Sequence, residues 1–291
     1  MKIKEIFDQK KVVFSFEVFP PKGGMTIEKI YNTIEEISSL GGDYISVTYG
    51  AGGSVRDNKT CEVSSLIKNK HGIEALSHLT CINSTKNNLD QIINQLKDNN
   101  IENILALRGD IPNNGEIYGD FKYAYELINY LKEKGNFGIA SACYPEGHYQ
   151  CENIDEDIKR LKEKVDSGVD YLITQLFLDN NIFYNYIDKL NKNGIYTPIE
   201  AGIMPIINKK QIETINTLCG ATIPDKFIKI INKYEHDKEA LRDAGIAYAV
   251  EQIVDLLSSG VKAIHLYTMN NPYVAKKIVE NISSILKSVN E

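Results

Sequence analysis

The chain lacks tryptophan and has only four methionines and eight prolines among its 291 residues. Its five cysteines, Cys61, Cys81, Cys143, Cys151 and Cys219, form no Cys-x-x-Cys pair and are odd in number. They offer no disulfide framework to read and fit a reducing, cytoplasmic compartment. No run of basic residues stands out. With 33 Lys and Arg against 39 Asp and Glu, the net charge is −6, which argues against a nucleic-acid or membrane-surface partner. No apolar stretch approaches membrane-spanning length, and Met1-Lys2-Ile3-Lys4-Glu5-Ile6-Phe7 is not a signal-peptide apolar region. Low-complexity segments and linkers are missing too, so residues 1–291 are expected to form a single domain.

What is present is an ordinary globular composition, 43% hydrophobic and 25% charged, with room for a large core. Short apolar runs alternate with longer amphipathic stretches. The first run, Phe14-Ser15-Phe16-Glu17-Val18-Phe19, is β-branched or aromatic apart from Ser15 and Glu17, and Pro20-Pro21 ends it. Further strands are expected at 44–49, 75–82, 103–107, 138–143, 171–177, 198–204 and 263–267. Helices are expected at 26–40, 57–70, 86–99, 123–134, 154–167, 181–193 and 273–288. The stretch 209–259 is long enough for an extra helix or two. Eight strands alternating with helices point to an α/β fold, a (β/α)8 barrel, with a doubly wound sheet as the alternative. Glu17, Thr48, His78, Arg108, Asp110, Tyr144, Gln175 and Tyr267 fall at or near the carboxyl ends of different strands. A closed barrel would gather them at one mouth.

A carboxylate inside an apolar strand is costly unless paired or protonated. Glu17 is therefore either a general acid with a raised pKa or a strand-end group paired with Lys or Arg. Arg108-Gly109-Asp110 reads as an anion- or ring-binding strand end, or as a turn with a local ion pair. Gly50-Ala51-Gly52-Gly53 would cradle phosphate or simply make a flexible turn, and it matches no dinucleotide or Walker pattern. Cys143, His148 and Cys151 have no common zinc spacing, and no metal is expected. His78 also reads as a satisfied core histidine.

Eight motifs occur in order: Phe14-Ser15-Phe16-Glu17 with Pro20-Pro21; Val47-Thr48-Tyr49-Gly50-Ala51; His78-Leu79-Thr80-Cys81; Leu107-Arg108-Gly109-Asp110; Tyr144-Pro145-Glu146; Ile173-Thr174-Gln175 with Phe177 and Asp179; Gly202-Ile203-Met204-Pro205; and His265-Leu266-Tyr267-Thr268-Met269-Asn270. Together they resemble the bacterial 5,10-methylenetetrahydrofolate reductase family over nearly the whole chain, without a eukaryotic-type C-terminal regulatory region. The resemblance implies a (β/α)8 barrel carrying FAD. A hydride would pass from NADH or NADPH, or from an electron-donor subunit, to FAD and then to the folate, in one-carbon metabolism and methionine synthesis. Glu17 would be the general acid, and Asp110 would steady the developing cation. Thr48, Tyr49, Ala51, His78, Arg108, Gly109, Asp110, Tyr123, Ala124, Tyr144, His148, Asp157 and Lys164 would contact FAD. Glu17, Asp110, Gln175, Gln211 and Tyr267 would meet the folate substrate. Three positions depart from the family pattern: Asn271 replaces a frequent Arg, and Arg160 and Glu163 replace an expected Asn and Arg. The rivals are a flavin-free pterin-binding barrel methyltransferase and a non-catalytic partner subunit. Oligomeric state is not legible.

Overall fold

The computed structural model describes residues 1–21, 26–49, 59–111, 117–218 and 220–291. Among them, eight parallel strands close into a barrel in sequential order. They are β1 (Val13–Val18), β2 (Tyr44–Val47), β3 (Glu74–Thr80), β4 (Asn103–Leu107), β5 (Gly138–Cys143), β6 (Tyr171–Thr174), β7 (Ile199–Ile203) and β8 (Ala263–Tyr267). The barrel, not the doubly wound sheet, is the architecture.

Side chains alternate between two cores, as the period of two along a strand requires. Phe14, Phe16 and Val18 of β1 face outward into the large core under the helices, with Ile45, Ile104, Leu172 and Leu266. Val13 turns inward, onto Leu76, Leu105, Ala140, Tyr171 and Ala263. The outer ring is α2 (Ile27–Ser38), α3 (Lys59–Ser65), α4 (Lys86–Asp98), α5 (Ala124–Lys134), α6 (Ile154–Asp166), α7 (Asn180–Lys192), α10 (Lys238–Ser258) and α11 (Pro272–Asn290). The expected stripe on α2 packs as read: Ile30, Ile34 and Ile37 are buried. α3 runs on into a π-helical turn, Leu66–Lys70.

Two differences from the sequence expectation have physical causes. First, a short N-terminal helix, α1 (Ile3–Gln9), was not foreseen. It buries Ile3 and Ile6 against the inward-facing residues and closes the amino end of the barrel. The Asn103 side chain accepts from the Ile3 amide at 2.8 Å, and Phe7 packs on Tyr171 with ring centroids 4.9 Å apart. Second, β6 ends at Thr174, not at 177. The Thr174 hydroxyl accepts from the Gly202 amide at 2.9 Å and its carbonyl accepts from the Tyr267 hydroxyl at 2.6 Å. Beyond it, Leu176 and Leu178 leave the barrel. The extra helices expected after β7 are α8 (Lys209–Leu218) and α9 (Asp225–Tyr234), ahead of α10. Leu176 and Leu178 join Met204, Ile206, Phe227 and Tyr248 in a separate small core that fixes these helices over the carboxyl end of the barrel.

Candidate active site

Strand register sets the inward-facing polar groups. Glu17 pairs in register with Ser46 on β2 and Tyr267 on β8, while Ser15 sits beside Tyr44 and His265. Glu17 therefore points into the barrel, not out toward a lysine or arginine, and its side chain keeps 17% exposure. Its Oε2 lies 3.4 Å from Nε2 of His78 and 3.4 Å from Nε2 of His265. The Ser46 hydroxyl is 2.6 Å from the same nitrogen of His78. Burial pushes the His78 pKa down to about 4, despite the opposing pull of Glu17, so this ring is neutral near pH 7. The Glu17 backbone is tied as well: its carbonyl accepts from the Thr268 hydroxyl at 2.6 Å. The Asn270 side chain pairs with both the amide and the carbonyl of Phe19, at 2.9 and 2.8 Å. Met269 and Asn270 reach this position with φ of 52° and 53°, a left-handed turn uncommon outside glycine and asparagine.

Two clefts open at this end of the barrel. The first, about 310 Å³, brings together Arg108, Tyr123, Ala124, Tyr144, His148, Asp157 and Lys164. These are seven of the positions singled out for cofactor contact, and they come from the exits of β4 and β5, the start of α5, and both the first and the last turn of α6. Tyr123 caps α5, with the Glu126 carboxylate accepting from the Tyr123 amide at 3.0 Å. Tyr144 and His148 meet edge to face at 4.7 Å. Burial, with the charges of Arg108 and Lys164, holds the His148 pKa down at about 4. Asp157 is 6% exposed, and burial raises its pKa against the pull of Lys164. Its Oδ2 has no hydrogen-bond partner. Buried polar atoms are normally satisfied, so this oxygen in the cleft wall suits a donor from outside the chain. Thr48, whose buried hydroxyl also has no partner, lines neither cleft. Arg108, Lys164 and Arg160 give the cleft cations suited to a phosphate-bearing group. Arg160 and Glu163, the two departures noted in the sequence, both line it and lie 3.7 Å apart as an ion pair.

The second cleft, about 520 Å³, has Glu17 in its wall together with Gln175, Gln211 and Tyr267, four of the five expected substrate positions. Gly202 makes room for Tyr267: a Cβ there would lie 2.8 Å from the tyrosine ring. Gln211 lines the cleft but is already engaged. Its amide oxygen accepts from the Ile207 amide and the Asn208 side chain, both at 2.9 Å, as part of the start of α8. Asn271 also lines the cleft and at the same time caps α11, accepting from the Val274 amide at 3.2 Å.

The remaining expected positions are not gathered into either cleft. Asp110 is exposed at the rim, close enough for its charge to act on Tyr144 and His148. Arg108 donates to the Gly109 carbonyl at 3.3 Å, so the local-ion-pair reading of that motif is not what forms. Gly109 has φ of +87°, and a Cβ would lie 2.9 Å from Ile82, so the turn itself requires glycine. Tyr49 packs against the outer core. His78 sits in the barrel interior beside Glu17. Ala51 and the glycines around it, like Cys219, lie outside the described residues. Cys143 is buried, and Cys151 donates to Asp157 at 3.8 Å; among the described residues no group of three His, Cys, Asp or Glu is placed to hold a metal ion.

Sequence reading passed over one acidic group. Glu200 of β7 is fully buried inside the barrel, where it accepts from the Ser15 hydroxyl at 2.7 Å and from the Tyr44 hydroxyl. The signal was available, since Ile199-Glu200-Ala201 is another carboxylate inside an apolar strand.

Residues 2–283 match the family model described as methylenetetrahydrofolate reductase. The chain is 34% identical over 277 residues to the 5,10-methylenetetrahydrofolate reductase of Escherichia coli, covering 94% of this chain and 92% of that one. The counterpart of Pectobacterium carotovorum is 34% identical over 274 residues, covering 94% and 91%. Against the Arabidopsis thaliana protein named methylenetetrahydrofolate reductase (NADH) 1, identity is 35% over 302 residues, 99% of this chain but 51% of that protein, so the chain spans about half the length of its plant relatives. A solved structure of an uncharacterized Clostridium thermocellum protein, which binds two copies of 5-methyl-5,6,7,8-tetrahydrofolic acid, superposes with a TM-score of 0.63 over 99% of the chain and all of its own; at 15% identity it bears on the fold alone. Family model, bacterial relatives and the ordered barrel-mouth motifs agree, and the chain belongs to the methylenetetrahydrofolate reductase family.

Proposed function

We propose that the chain reduces 5,10-methylenetetrahydrofolate to 5-methyltetrahydrofolate on a single barrel that binds FAD in the first cleft and the folate in the second. The observation that carries this is Glu17: a carboxyl group in the wall of the second cleft, backed by two buried histidines. The imidazolidine ring of the substrate bridges N5 and N10. A proton placed on N10 opens it to a cationic iminium at N5, and Glu17 would supply that proton. Asp110, at the rim, would steady the cation, since a fixed carboxylate favours positive charge developing nearby. Gln175 and Tyr267 would orient the pterin. FAD, when bound, would accept a hydride from the nicotinamide, NADH by the naming of the plant relatives, and deliver it to the folate. The residues present suit that group: Arg108 and Lys164 for its phosphates, and the unpartnered Asp157 oxygen for one of its hydroxyl or amide donors.

The test is direct. The purified protein should release FAD on denaturation, and its NADH oxidation should depend on added 5,10-methylenetetrahydrofolate. Finding FMN, or no flavin after reconstitution with FAD, would overturn the proposal. Methyl transfer by flavin-free protein would favour the methyltransferase instead.

A further inference from the structure

A continuous chain of polar groups runs from Glu17 into the sealed part of the barrel. His265 is fully buried, with Nε2 3.4 Å from Glu17 Oε2 and Nδ1 2.6 Å from the Ser15 hydroxyl. That hydroxyl lies 2.7 Å from Glu200 Oε1, and the Tyr44 hydroxyl meets the other oxygen of Glu200. Ser15, Tyr44, His265 and Glu200 all have zero exposure. Neighbouring layers of the barrel are filled by Val13, Leu76, Leu105 and Ala140, so the fold does not need a carboxyl group here. A buried ionisable set is expensive compared with aliphatic filling.

Ser15 has one hydroxyl proton and lies between Glu200 and His265, and with His265 neutral this leaves two arrangements. If Ser15 donates to Glu200, it must accept the proton on His265 Nδ1. His265 Nε2 then presents a lone pair to Glu17, and Glu17 is the protonated acid with Glu200 a carboxylate. If Ser15 donates to His265 Nδ1, it must accept from a protonated Glu200, and His265 Nε2 points its proton at Glu17 Oε2; Glu17 then holds its own proton on Oε1 before it protonates the folate and is a carboxylate afterwards. Once Glu17 has given up that proton, three hops convert the second arrangement into the first: Glu200 to Ser15, Ser15 to His265 Nδ1, and His265 Nε2 to Glu17. One O–H bond breaks at Glu200 and one forms at Glu17. Ser15 and His265 end neutral, and no other reactant is consumed.

We propose that Glu200, Ser15 and His265 form a proton relay that reloads Glu17 after it has protonated the folate. The proposal rests on the function assigned above. Its chemical use is specific. A spent Glu17 carboxylate would take the N10 proton back and reclose the ring. Moving that negative charge onto Glu200 prevents reclosure while the hydride arrives; the path then runs in reverse to refill Glu200, and solvent reprotonates Glu17. The groups facing Glu200 are Tyr44 and Tyr171, with His265 above and the charge of Asp43 beyond. Those facing Glu17 are His265 and His78, and among the described residues His78 leads on to Ser46. Glu200 is thus the carboxyl group that the described path reaches.

The experiment uses the full-length flavin-loaded protein and three variants, Glu200→Gln, Ser15→Ala and Ser15→Thr. Glu200→Gln keeps size and hydrogen bonding but has no proton to pass. The folate half-reaction should slow by about tenfold or more, its alkaline limb should move to lower pH, and nicotinamide oxidation should be unchanged. The proton inventory of that half-reaction should be curved in the wild type and linear in Ser15→Ala, with Ser15→Thr restoring the curve. Infrared spectra of the resting protein give a readout that needs no folate activity: two carboxylic-acid carbonyl bands should belong to this network, and Glu200→Gln should remove one and shift the one that Glu17→Gln removes, because Ser15 and His265 join the two acids. Bands that each answer to only one of the two substitutions, or variants with wild-type rate, pH limb and inventory, would overturn the relay. A protein that reduces no folate yet shows the coupled bands would overturn the assigned function and leave the relay standing.

Discussion

Glu17 is fixed by its backbone before its side chain meets anything. The Thr268 hydroxyl holds its carbonyl, and Asn270 grips the next peptide but one, so the carboxyl group has little freedom to turn away from the cleft. Such positioning matters because an acid contributes only when it reaches the atom it protonates. Glu17→Gln preserves shape and removes the transferable proton. Folate reduction should fall by about 10²–10⁴-fold, with flavin retained and its reduction by NADH nearly normal. Stopped-flow measurement of the two half-reactions decides; equal slowing of both would mean that Glu17 organises the site and is not its acid. The residue itself was legible, since a lone carboxylate in an aromatic strand is a physical anomaly. Glu200 and His265 were less so. The anomaly in β7 is equally visible, but its meaning depends on which strand faces it across the barrel, and a single sequence carries no record of that pairing.

At the scale of elements, the approach of α10 to the exit of β7 shapes the second cleft. Gly245 lies mid-helix in α10, where a Cβ would stand 2.0 Å from the Ile206 carbonyl oxygen and 2.8 Å from its carbon. Alanine is the better helix former by about 1 kcal/mol. The contact is with backbone, though, so the helix and the Ile206–Ile207 segment must separate, and overpacking of this sort costs typically about 1–3 kcal/mol. The clash wins. Gly245→Ala should melt at a lower temperature and show a raised KM for folate, because Ile207 lines the second cleft. NADH oxidation with an artificial acceptor should be spared. A melting temperature at or above that of the wild type would show that the helix slides without cost. The same region marks the limit of reading elements from sequence. Strands β4, β5 and β8 match their expected bounds, because each apolar run stops where a polar or glycine-bearing segment begins. β6 was drawn three residues too long, since Leu176 and Leu178 are as apolar as the strand and only the small core above the barrel claims them. The helix α1 was missed because seven residues with two buried isoleucines give too short a period to register.

For the whole molecule, the barrel buries an unusual share of its weak acids, and this sets its stability at alkaline pH. Burial pushes the thiols of Cys81 and Cys143 up to about 12 from a reference of 9.0. It also holds the phenols of Tyr44, Tyr171 and Tyr186 well above 10.0. In each case the folded state keeps a proton that the unfolded chain gives up. Between the unfolded and folded values the native state binds more protons, so stability falls as pH rises. The contribution is intact below about pH 9 and is lost progressively above it, at about 1.4 kcal/mol per pH unit for each thiol, with the tyrosines joining from about pH 10. Lys164 works in the opposite direction, because burial lowers its pKa and the unfolded chain then holds the extra proton. Burial also pushes the Cys61 thiol up to about 11, and one lysine does not offset three thiols and three phenols. The urea midpoint should therefore be level up to about pH 8.5 and drop steeply by about pH 10.5. Cys143→Ala should flatten the slope between about pH 9 and pH 10 by about a third, because one of the three buried thiols is gone, while lowering the midpoint at neutral pH through the cavity it leaves. A midpoint that stays level through that range in the wild type would mean that these groups ionise in place, and that the barrel admits water where the static packing excludes it.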